Sequence, residues 1–119
     1  MTLNPKKIFI DFYTDWCTYC RKMDKVVFTK PEVIRLLNED YHTVKMNAES
    51  MDTIRFDSQV FINDQVGKSR RPLHQLAQLL ATRDGQFTPP VIIVLNEKFE
   101  VIDRYFEYLD SKRLLKALN

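Results

Sequence analysis

Two short segments of the chain are apolar almost throughout. Lys7–Tyr13, KIFIDFY, and Val91–Leu95, VIIVL, are rich in Ile, Val and aromatic residues. Runs of this length and composition are expected to be buried strands. The first of them carries an acid, Asp11, in its middle. Between the two the apolar positions change period. Cys20, Met23 and Val27 fall at helical spacing, which predicts a helix starting near Cys17. TKPEVIRLLN predicts a second helix, with Thr29 and Glu32 as a capping box and Pro31 in the first turn. YHTVKM, from Tyr41 to Met46, alternates like a strand.

The rest reads in shorter pieces. Thr53–Ile62 predicts two brief strands around an Asp57–Ser58 turn, and NDQVGKSRR a loop. Pro72–Ala81 predicts a short helix that opens on its proline, with Leu73, Leu76, Leu79 and Leu80 on one face. NEKFEVIDRYF reads as a hairpin return. LDSKRLLKALN reads as a closing helix capped by Asp110 or Ser111. The expected order is strand, helix, helix, strand, small hairpin, helix, strand, strand, helix. That is an α/β chain with a mixed sheet. No internal repeat, low-complexity segment or linker interrupts it.

Size and charge add limits. A chain of 119 residues is expected to form a single domain with a core of its own, spanning 1–119. The net charge of +2 argues against a nucleic-acid or membrane-surface partner. Two glycines leave no room for a Gly-rich phosphate loop. No apolar run approaches the roughly 20 residues of a membrane span. The start, MTLNPKK, lacks the apolar stretch of a signal peptide, although a mature exported form would look the same. The cysteine count leaves the compartment open.

Both cysteines, Cys17 and Cys20, sit in FYTDWCTYCRKM. A closed zinc site takes four Cys or His ligands, and here His42 and His74 lie far away in the sequence, so no metal is expected. As a staple the pair closes a very small loop and removes little unfolded-state entropy. A redox couple fits better. Cys17 would open a helix, where unpaired N–H groups and the helix dipole favour a thiolate and pull its pKa from about 8.5 toward neutrality. Cys20, one turn in, would be the shielded partner that releases a mixed disulfide. A CxxC directly after an apolar strand and opening a helix is a specific signal.

With these residues in place the chain resembles the thioredoxin superfamily from about Lys7 onward. DFYTDWCTYC is similar to that family's strand followed by W-C-x-x-C. The segment from Asp11 to Leu37 is particularly similar to the C-terminal thioredoxin-like domain of the DsbD family and to small exported thioredoxin-like proteins. The resemblance implies a thioredoxin fold: a central mixed sheet flanked by helices, with an inserted β-hairpin at about 50–72 and a short helix before a cis-proline loop. It implies that Asp11 is a buried acid with Lys45 near it. It places Thr88 before a cis-Pro89 facing the dithiol, with Pro89–Pro90 as the rival cis bond. The chain departs from thioredoxin itself at Thr18–Tyr19, where thioredoxin has Gly–Pro, and lacks its first strand and helix.

The function expected is thiol–disulfide exchange. Cys17 is the nucleophile, Cys20 resolves, and Asp11 assists as a carboxyl of raised pKa. The plain reading of Asp11 is a structural ion pair with Lys45. Trp16, Thr88 and Pro89 are the candidate substrate-binding residues, with Lys45 and Tyr19 in support. Trp16 reads equally well as core or as a partly exposed partner surface. His74 reads as a solvated or capping residue. Ser69–Arg71 reads as a solvated loop rather than a partner patch, and Arg21, Lys22 and Lys25 as an exposed helix face. No cofactor is expected. The expected partners are protein disulfides and an upstream dithiol reductant, the chain acting as a monomer. Its DsbD-like surroundings suggest the periplasm or another exported setting; the cytoplasm stays open. The alternatives are a disulfide oxidase or isomerase, and a non-catalytic thioredoxin-fold module that holds a partner.

Overall fold

The computed structural model describes residues 6–119. β1, Lys7–Tyr13, and β5, Val91–Leu95, are the two inner strands of a four-stranded sheet in the order β2-β1-β5-β6. β2, Tyr41–Asn47, runs parallel to β1, and β5 and β6, Val101–Tyr105, complete the sheet antiparallel. Every residue of β5 is buried, as an unbroken apolar run between two helical layers requires. The parallel step from β1 to β2 is made by α1, Thr18–Val26, and α2, Pro31–Asp40.

The period-2 alternation of β1 divides the core in two. Phe9 faces the layer that holds Met23 and Val27 of the α1 region, Val33 and Leu37 of α2, and Leu114 and Leu118 of α4, Ser111–Leu118. Ile8, Ile10 and Phe12 face Leu76, Ala77 and Leu80 of α3, Gln75–Leu80. Asp11 shares the parity of Phe9, so its carboxyl is directed to the α1 and α2 side.

The hairpin expected at 54–62 forms a separate two-stranded sheet of β3, Ile54–Phe56, and β4, Gln59–Phe61. Asp57 and Ser58 both take positive φ, 50° and 63°, the backbone of a tight hairpin tip. The hairpin is not free of the core, because Ile54, Phe56 and Phe61 pack on the α3 layer. Phe56 also meets Phe99, in the β5–β6 turn, edge to face at 5.3 Å.

Three local expectations are corrected. α2 has Lys30 as its N-cap, without a side-chain cap, while the Thr29 hydroxyl donates instead to the Lys25 carbonyl at 2.6 Å. The end of α1 thus takes the hydroxyl that the capping box needed. α3 starts at Gln75 rather than at Pro72, and Leu79 is exposed. The reason is His74, which caps α3 in place of the proline. Its Nδ1 accepts from the Leu76 N–H at 3.1 Å, so its Nε2 carries the proton and donates to the Asp52 carbonyl at 2.8 Å. His74 is completely buried, a capping residue and not a solvated one. At α4 the cap is Asp110, whose Oδ1 accepts from the Arg113 N–H at 2.8 Å.

Candidate functional site

Cys17 is the N-cap of α1, with extended backbone at φ −79° and ψ 107°. Its Sγ accepts from the Cys20 N–H at 3.1 Å, and the two sulfurs are joined in a disulfide. The Cys17 sulfur therefore sits where the first turn presents N–H groups that no carbonyl satisfies. Cys20 lies on the inward face of α1 with Met23, directed at the layer that Asp11 also faces. The expected difference in exposure between the cysteines is absent. Cys17 is 4% exposed and Cys20 5%.

Asp11 is 7% exposed, and its carboxyl pKa is raised to about 6. Burial is the main cause; the negative charge of Asp24 adds to it and Lys45 opposes it. Lys45 is the β2 register partner of Asp11, yet its Nζ bonds to Asp24 Oδ2 at 2.6 Å. Among the described residues no Asp11–Lys45 ion pair forms, which corrects the plain reading of Asp11. Burial lowers the Lys45 pKa, but the hydrogen bond and charge of Asp24 outweigh this and the net direction is up. Asp11, Asp24 and Lys45 border one cleft of about 270 Å³, with Phe9, Phe28 and Thr43 among its walls. The cleft gives the buried carboxyl a route to solvent. A carboxyl poised near neutrality can take and return a proton at physiological pH.

Trp16 is 44% exposed. Its Nε1–H donates to Glu49 Oε2 at 2.9 Å, and the Arg71 guanidinium stacks 4.0 Å above its ring. Ser69–Arg71 is therefore not simply a solvated loop. On the other side, Tyr19 is exposed and leans on Tyr108 with ring centres 5.9 Å apart. Lys22 lies over the Tyr108 ring at 5.1 Å.

Thr88 is exposed, Pro89 half-buried and Pro90 buried. The cis bond is Pro89–Pro90, not Thr88–Pro89. Pro90 is enclosed at the head of β5. Thr14, three residues before Cys17, is buried with no hydrogen-bond partner for its Oγ1 among the described residues, which nothing in the structure explains.

Asp24 and Glu49 are the site residues that sequence reasoning passed over, and Arg71 was read only as part of a solvated loop. Asp24 had a signal, since it stands one helical turn after Cys20. Glu49 and Arg71 had none, because both reach Trp16 across the fold. Among the described residues no group of three or more His, Cys, Asp or Glu side chains is placed to hold a metal ion. Nor is any described helix long and apolar enough to cross a membrane.

Comparison with known proteins agrees with this geometry. A family described as thioredoxin-like matches residues 3–96. The chain is 50% identical over 30 residues to a protein of Pseudomonas aeruginosa called thiol:disulfide interchange protein DsbD 2. That match covers 25% of this chain and 5% of the relative, so it spans a small part of the relative's length. Among solved structures, a thioredoxin-fold protein from Helicobacter pylori superposes with a TM-score of 0.73 at 20% identity, covering 97% of this chain and 68% of the other. The reduced C-terminal domain of DsbD from Neisseria meningitidis superposes with a TM-score of 0.61 at 18% identity, covering 98% and 83%. Because the family match runs through the dithiol to the end of β5, the chain, with its Cys17–Cys20 couple, belongs to the thioredoxin-like family.

Proposed function

We propose that this protein is a thiol–disulfide oxidoreductase that works in the reducing direction, on disulfides of partner proteins. The observation that carries dithiol exchange is the Cys17 sulfur at the N-cap of α1, accepting the Cys20 N–H; the reducing direction is supported by the likeness to DsbD. In the reduced protein that N–H and the helix dipole favour a Cys17 thiolate. The thiolate attacks one sulfur of the substrate disulfide, and the other substrate sulfur leaves as a thiolate. Cys20 then gives its proton to Asp11 and attacks the Cys17 sulfur, expelling the second substrate thiolate. Two electrons have passed to the substrate, and Cys17–Cys20 is oxidised, the state seen here. An upstream dithiol restores it.

Trp16 frames the approach in this reading; Thr88 and Pro89 lose the docking role expected of them, because the bond between them is trans. Lys45 holds Asp24 at the mouth of the Asp11 cleft. Residues 50–72 are an insertion in a single domain. The likeness to DsbD supports an exported, periplasmic setting.

Catalysis of insulin reduction by dithiothreitol tests the function. Micromolar protein is expected to shorten the lag before the insulin B chain precipitates. An unchanged lag would favour the module that binds a partner without catalysis. An oxidase or isomerase would instead excel at refolding a reduced or scrambled disulfide protein.

A further inference from the structure

The segment 50–72 is braced along much of its length. Asn63 Nδ2 donates to the Ser50 carbonyl at 3.0 Å and to the Pro72 carbonyl at 2.8 Å, tying the two ends of the segment together. Gln65 Oε1 accepts from the Leu73 N–H at 2.9 Å. Arg71 is the residue just before this tie. Its guanidinium is delivered onto the outer face of Trp16, the residue preceding Cys17. A cation stacked on an indole keeps its N–H edge free for an anion. Among the described residues no carboxylate lies within 4.0 Å of Arg71 or of Lys22, the cation over Tyr108 on the Tyr19 side. Glu49 accepts from the N–H of the Trp16 indole on which Arg71 is stacked.

We propose that Arg71, assisted by Lys22, selects disulfide substrates that carry Asp or Glu beside the reacting cysteine. One cation lies on the ring of Trp16, the residue before Cys17, and the other on the ring of Tyr108, which Tyr19 of the CxxC also meets. A substrate strand crossing Cys17 would set its neighbouring side chains against them. Arginine on a flat ring is suited to a bidentate carboxylate contact. The 50–72 segment then acts as a selectivity arm, bringing a charge from a distant part of the chain to the rim of the dithiol. This inference rests on the reading of the chain as a disulfide reductase.

The test uses disulfide-linked dimers of one short peptide, its cysteine flanked by Glu, Gln or Lys. Each rate is divided by the rate of the same dimer with dithiothreitol, which removes intrinsic reactivity. At low salt the Glu dimer is expected to react about tenfold faster than the Lys dimer, with Gln between them. Added salt at about 0.5 M should bring the ratio toward one. Arg71→Gln should cut the Glu-to-Lys ratio by roughly threefold, and Lys22→Gln by less. Equal normalised rates for the three dimers, or an unchanged ratio in Arg71→Gln, would overturn the selection while leaving reductase activity in place. Failure to reduce any dimer would overturn the reductase reading, and the selection with it.

Discussion

Cys17→Ser is expected to bring insulin reduction down to the uncatalysed rate, while Cys20→Ser accumulates mixed disulfides on Cys17. The asymmetry follows from position. Cys17 Sγ occupies the N-cap and meets an N–H of the first turn, so it is the sulfur stabilised as a thiolate. Serine there cannot form the sulfur–sulfur bond on which every later step depends. With serine at position 20 the first attack still proceeds, but nothing inside the protein displaces the bound partner. Non-reducing gels with peptide mass mapping separate the cases. Captured partners on Cys20 in the Cys17→Ser protein would reverse the assignment. The two sulfurs are equally enclosed in the oxidised state, so the assignment rests on the helix start and not on accessibility.

Asp11→Asn is expected to stabilise the oxidised protein at pH 8 by up to about 3 kcal/mol and to lengthen the life of the mixed disulfide by roughly tenfold to a hundredfold. The Asp11 pKa is raised to about 6 from 3.8. The folded state therefore binds the proton more tightly than the unfolded chain does. This contribution is fully present below about pH 4 and is lost as pH rises through about 6. Asparagine never ionises, so the stability gap between variant and wild type should open between those pH values. Urea denaturation at pH 4 and pH 8 measures it. A gap that stays constant with pH would remove the buried-carboxyl account, and an unchanged mixed-disulfide lifetime would leave Asp11 a structural residue. The asparagine also cannot accept the Cys20 proton, which is why stability and turnover move in opposite directions. Such an exchange is expected where a costly buried group is retained for chemistry.

The elements that were legible in the sequence are those set by near neighbours. β1 and β5 follow from apolar runs, broken in β1 only by Asp11 inside it, α1 from the spacing of Cys20, Met23 and Val27, and the hairpin tip from Asp57–Ser58. The redox couple was legible for the same reason, since strand, turn and CxxC are contiguous. What stayed hidden depends on contacts between distant residues. Lys45 had two acids within reach, Asp11 across the sheet and Asp24 on α1, and only the fold shows that it bonds to Asp24. His74 looked polar and peripheral until the Asp52 carbonyl and the Leu76 N–H enclosed it. The position of Arg71 depends on Asn63 gathering both ends of a long segment, and no local pattern reports this. At Pro89 and Pro90 two adjacent X–Pro bonds were candidates, and only the fold shows that Pro89–Pro90 is the cis one.

The equilibrium reduction potential of the Cys17–Cys20 couple, measured against glutathione or dithiothreitol buffers, tests the reducing direction most directly. The account predicts a value near the roughly −270 mV of thioredoxin, low enough to pass electrons to partner disulfides. A value near the roughly −120 mV of DsbA would mark a couple that takes electrons instead, and would contradict the proposal.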